Sequence, residues 1–99
     1  MPSYSLEQDI GSMKHGDERH YSANDKAVKV TYSAEQAMGD NGQPAKGYTV
    51  GHFGVHGPGD DDYASFRHSP HGPTLEGAKP YAAKQAADRI SRVFRDRRS

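Results

Sequence analysis

His52, His56, Tyr63 and Arg67 are the residues of this chain whose types and spacing come nearest to chemistry. A histidine that titrates near neutrality can move protons, and an arginine can hold phosphate charge. Those are two parts of a metal-independent nuclease, a class with members of this size. The four residues meet if Tyr48–His56 and Tyr63–His68 are the strands of one hairpin turning through Gly57-Pro-Gly-Asp-Asp-Asp62. Pairing Gly57 with Asp62 sets His52 opposite Arg67 and His56 opposite Tyr63, with Tyr48 and Val50 on the same side. Against catalysis, this hairpin carries one arginine beside three aspartates, and no lysine or arginine cluster that would hold RNA.

Six histidines also raise a metal site. His52 and His56 share a strand face but stand about 13 Å apart at ~3.3 Å per residue, too far for one ion. His68 and His71 flank Ser69-Pro70 in a loop and could converge, yet no carboxylate stands at zinc-site spacing. The expectation is surface histidines on a sheet and a loop, with no metal and no cofactor. Asp60-Asp61-Asp62 lacks the spaced oxygen ligands and closing glutamate of a calcium loop, so it reads as a solvated turn.

The same register that gathers the polar residues puts Phe53, Val55, Ala64 and Phe66 on the opposite side. Their partner is a C-terminal helix over residues 78–97. Pro80 suits a first helical turn. Ala83, Ala86, Ala87, Ile90, Val93 and Phe94 form one apolar stripe at helical spacing. Upstream, Ala27–Tyr32 is a strand with Val28, Val30 and Tyr32 on one face and Lys29 and Thr31 on the other. Glu18–Ser22 reads as a further strand turning at Asn24-Asp25. Residues 1–17 read as poorly ordered chain or a short helix over Ser5–Met13, and Ser33–Gly47 as a loop or a single helical turn at Ala34–Met38. The predicted fold is α+β: an antiparallel sheet of three to four strands at 18–68, with one long C-terminal helix packed on one face, in a single domain of 99 residues.

Leu, Ile, Val and Phe number only 12 of 99, while the formal net charge is zero. A thin core follows rather than disorder, and a second copy or a partner would help so marginal a domain. The neutral total hides an asymmetry. Residues 1–77 hold 6 Lys/Arg against 11 Asp/Glu, a balance of −5, and residues 78–99 hold 7 against 2, a balance of +5. Arg89, Arg92 and Arg95, with Lys84, make the helix a candidate surface for nucleic acid; Arg97 and Arg98 extend it. The bland account of the same arginines is a solvated face complementing the helix dipole. With no cysteine, no signal-like leader and no apolar run of ~20 residues, the chain reads as a soluble cytoplasmic protein that does not enter a membrane.

One family comparison bears on the helix. The order helix, three strands, helix is similar to that of a double-stranded-RNA-binding domain. Lys79-Pro-Tyr-Ala-Ala-Lys84-Gln-Ala-Ala87 looks like the start of that family's second helix. The likeness covers nine residues, mostly alanine. Lys79-Pro80 stands where the family has paired lysines, its Gly-Pro-x-His loop is out of place, and the body is acidic.

Without a coherent catalytic set, the sequence favours a small non-enzymatic binding protein. It would act as an accessory or inhibitor of a host macromolecular complex, of the kind phages and mobile elements encode. Its docking face would be Tyr48, His52, His56, Tyr63 and Arg67, since tyrosine and arginine are common interface anchors. Nucleic-acid binding through Lys84, Arg89, Arg92 and Arg95 is the first alternative. A nuclease using His52, His56 and Arg67 is the second.

Overall fold

The computed structural model describes residues 3–39, 41–59, 61–68 and 79–95, with the side chains of residues 3, 4, 36–38 and 44–49 left aside. The order is α1 (Ser3–Gly11), β1 (Glu18–Ala23), β2 (Lys26–Met38), β3 (Pro44–His56), β4 (Tyr63–His68) and α2 (Lys79–Arg95). The strands form one antiparallel sheet in the order β1-β2-β3-β4. The fold is α+β, as the sequence predicts. Four strands, rather than three, separate the two helices, which departs from the double-stranded-RNA-binding order.

Alternation decides which sheet face is covered. Val28, Val30 and Tyr32 on β2 and Phe53 and Val55 on β3 are buried, and they meet Leu6 and Ile10 of α1 and Ala82, Ala83, Ala86, Ala87 and Ile90 of α2. Ala64 and Phe66 join that side opposite Val55 and Phe53, in the register the sequence implies. Phe66 lies on an edge strand and is only half-buried, as are Val93 and Phe94 at the far end of α2.

Both turns at one end of the sheet tie down α2. Asn24 and Asp25 have φ of 54° and 63°, the left-handed pair of a two-residue hairpin, which these short polar residues tolerate. The Asn24 amide donates to the carbonyl of Phe94 at 2.9 Å, and the Lys26 ammonium donates to that of Val93 at 3.1 Å. They satisfy carbonyls that the helix end leaves without partners. On the other side, Arg89 reaches Asp62 of the β3–β4 turn at 3.1 Å.

Two expectations fail. Ser33–Gly47 is neither a loop nor a helical turn. β2 continues to Met38 and β3 begins at Pro44, joined through Gly39–Gln43, where Gly42 takes a φ of 76°. Backbone pairing with β3, from Ser33↔His52 through Gln36↔Thr49, extends a stretch poor in β-branched residues. His68 is not a surface loop residue. It ends β4 on the covered face and is 5 % exposed. Gly51 opposite it has no side chain, so the imidazole lies over that position, 2.9 Å from the Tyr32 hydroxyl and against Phe53.

Lys79, the first residue of α2, is also buried. Its ammonium donates to the Met13 carbonyl and stands 4.7 Å from the Tyr32 ring centre, a cation–π placement. The helix start is thereby fixed to the loop after α1.

Candidate functional site

The sheet face away from the helices is open, with no element described over it. Its strands set out a grid. His20, Lys29, His56 and Tyr63 form one row; Glu18, Thr31, Gly54 and Ser65 the next; Ser33, His52 and Arg67 the third; Glu35 and Val50 the fourth. Four of the five residues the sequence nominates, His52, His56, Tyr63 and Arg67, are thus on one face and in the pairing expected. The fifth, Tyr48, lies in β3, and its side chain is outside the described residues.

His52 is the centre of this face. Its Nε2 is 2.5 Å from the Ser65 hydroxyl and 3.4 Å from that of Tyr63. Partial burial, then the Arg67 and His56 charges, hold its pKa below the ordinary histidine value of 6.5. At neutral pH the ring is therefore neutral and can accept the serine's proton in a hydrogen bond. The His56 and Tyr63 rings meet at 4.7 Å, tilted by 56°. Ser33, Glu35, Val50, His52 and Arg67 line a shallow depression of about 250 Å³.

Glu35 is the member that the sequence missed. Reading Ser33–Gly47 as a loop hid it, although the alternation Lys29, Thr31, Ser33, Glu35 already placed it on the polar face. Glu35 and Arg67 are both exposed, and among the described residues neither has an ion-pair partner. The face also carries Lys29 and Glu18; the Glu18 carboxylate accepts from His20 at 2.8 Å, which holds its pKa below the usual range. Among the described side chains this face carries two carboxylates and two permanent cations.

The basic helix set changes by one residue. Lys84, Arg92 and Arg95 are exposed. Arg89 is half-buried and committed to Asp62, so it leaves the nucleic-acid set. Arg97, Arg98 and His71 lie outside the described residues. Among the described residues, no three histidines, aspartates or glutamates converge to hold a metal ion, and no helix is long and apolar enough to cross a membrane.

A second concavity, of about 540 Å³, opens beside β1, between Leu6 of α1, Tyr21 and Ala23 of β1, and Phe94 and Arg95 of α2. No spacing in the sequence announces it, because it forms between α1, β1 and α2, which are distant in the chain. The wall is stiffened by Asp9, whose carboxylate accepts from Arg19 at 2.5 Å and from the Tyr21 hydroxyl. Burial and that carboxylate push the Tyr21 pKa up to about 12.

No family model, curated protein or solved structure matches the chain.

Proposed function

We propose that the protein is a non-enzymatic binding module that docks another protein on the open sheet face. Its partner would be part of a host macromolecular complex in the cytoplasm, on which it acts as a small accessory or inhibitory protein of phage or mobile-element type. The observation that carries the docking face is a surface with no described element over it, on which Glu35 and Arg67 have no ion-pair partner among the described residues and stand beside Tyr63, which is 47 % accessible. Both charges are available to a partner without breaking an ion pair among the described residues, and Tyr63, set against His56, presents its outer side. Charges of both signs among the described side chains favour a protein over a nucleic acid on this face. Affinity capture coupled to mass spectrometry, run side by side with Tyr63→Ala and Arg67→Ala, tests it. A partner retained equally by the wild type and both variants would remove this face from the reading.

Exposed Lys84, Arg92 and Arg95 on the outer side of α2, with Tyr81 71 % accessible, favour a second reading in which the helix contacts phosphate backbone. Salt-dependent retention of duplex DNA, single strands or structured RNA would support it.

A further inference from the structure

We propose that in the free protein the open sheet face is covered by a second copy of this chain, related by a twofold axis running along β3, and that a partner protein must displace that copy. This rests on the reading of the same face as an interface and adds what occupies it beforehand.

The face is complementary to itself. β3 has β2 on one side and β4 on the other, and an axis along β3 in the plane between two facing sheets exchanges them. Rows then meet as follows. Lys29 of one copy lies over the Tyr63 ring of the other, a cation above an exposed aromatic face. Thr31 meets Ser65 of the second copy. Glu35 falls one row beyond Arg67 of the second copy, an offset of about 7 Å along the strand that two long side chains can span. Each contact occurs twice. Each permanent charge in the β2 and β4 columns of this face that lacks an ion-pair partner among the described residues thereby gains a group of opposite sign or an aromatic ring.

The area sets how strong such a dimer can be. With the axis on β3, β1 of each copy overhangs and three strands overlap; at ~4.8 Å per strand and about four rows at ~7 Å they give roughly 400 Å² per copy, or on the order of 800 Å² in all. That is below the ~1,200 Å² at which standard specific interfaces begin and belongs to weak, transient association that appears only at high protein concentration. A polar face of that size, with charges of both signs, can hold a copy at high concentration and release it to a tighter partner.

Sedimentation velocity of the full chain, carried up to high protein concentration, tests the proposal. The wild type should move from monomer to dimer. Glu35→Arg and Arg67→Glu, each placing like charges together, should weaken association by about tenfold or more. The double variant Glu35→Arg/Arg67→Glu recreates the pair with its signs exchanged and should return to within about threefold of the wild type. Both positions are exposed, so circular dichroism should show the fold intact in all variants. A wild type that stays monomeric throughout, or a double variant no better than the single ones, overturns the proposal. A monomer that still captures a foreign protein through Tyr63 and Arg67 overturns the dimer alone, whereas a charge-dependent dimer that captures nothing overturns only the foreign partner.

Discussion

Replacing Gly51 by alanine probes the most tightly built contact in the sheet. In an ordinary strand position the change would stabilise slightly, because alanine loses less backbone entropy on folding. Here a β-carbon would stand 2.6 Å from the Tyr32 hydroxyl and nearer still to the His68 ring. Gly51 pairs with Ala34 on one side and His68 on the other, so its backbone cannot retreat. The ring must swing away instead, and the 2.9 Å bond between Tyr32 and His68 is lost. Overpacking costs about 1–3 kcal/mol and the lost buried bond about 1 more, together about 2–4 kcal/mol. For a domain of this size that lowers Tm by roughly 8–30 °C. Thermal unfolding followed by circular dichroism reads it directly. The companion experiment repeats Gly51→Ala in a His68→Ala background. With the ring gone, only the 2.6 Å approach to the Tyr32 hydroxyl remains, and that side chain can move into the vacated space, so the methyl group should cost at least about 1 kcal/mol less than in the wild-type background. A Tm within ~3 °C of wild type, or an equal cost in both backgrounds, would refute the placement of His68 over Gly51.

The other expectations concern the core edge, the open face and the helix. Phe66→Ala should cost about 1.5–3 kcal/mol, below the ~3–5 kcal/mol of a fully buried phenylalanine, because its ring is half-buried; urea unfolding measures it, and no loss would contradict its contact with the core. His52 has a folded pKa below 6.5, so the unfolded chain binds its proton more readily; its share of stability is intact above that value and fades as pH falls through the folded pKa. His52→Gln should therefore flatten the Tm profile between neutral and mildly acidic pH, and an unchanged slope would count against it. For a binder, Tyr63→Ala and Arg67→Ala should each weaken partner affinity by more than ~1 kcal/mol while His52→Gln matters less; for a nuclease, His52→Gln would cost ~10²–10⁴-fold in rate with binding preserved. Arg92→Glu with Arg95→Glu should abolish any salt-sensitive nucleic-acid retention without unfolding the chain, and wild-type protein that shifts no nucleic acid at low salt would end that alternative.

The sequence exposed most of what alternation and helical spacing can encode. The pairing of Phe53 with Phe66 and His52 with Arg67 followed from one turn and two stretches of period two. The α2 stripe followed from alanines and Ile90 at helical spacing. What stayed hidden depends on contacts distant in the chain. The extension of β2 past Ser33 is a consequence of pairing with β3, since Ser33–Met38 carries no strand-forming residues of its own. That concealed Glu35. His68 and Lys79 are polar residues at the ends of elements, where exposure is the natural expectation. Their burial depends on the Tyr32 ring, 36 and 47 positions away, and on a glycine that leaves room for the imidazole. Arg89 looked like one of a basic series, and only the return of the β3–β4 turn supplies Asp62.

The division of labour between the two sheet faces follows from the shortage of bulky apolar residues. The buried cluster uses Leu6, Ile10, Ile90, three valines and Phe53 among its larger members, and it lies wholly on the helix side. A second apolar layer was out of reach for this composition, so the other face had to be polar. A thin core would leave that face pliable unless the helices were fixed by other means. Here α2 is held along its length: Lys79 at its start by Met13 and Tyr32, Arg89 by Asp62, and its last carbonyls by Asn24 and Lys26. Two of these anchors come from the hairpin turns themselves. A shift of α2 would therefore drag both turns and, through them, the rows of His56, Tyr63 and Lys29 on the open side. Polar contacts at the helix thus keep the open-face grid in register, and the proposed docking surface, with few bulky residues, would draw its specificity from that fixed spacing.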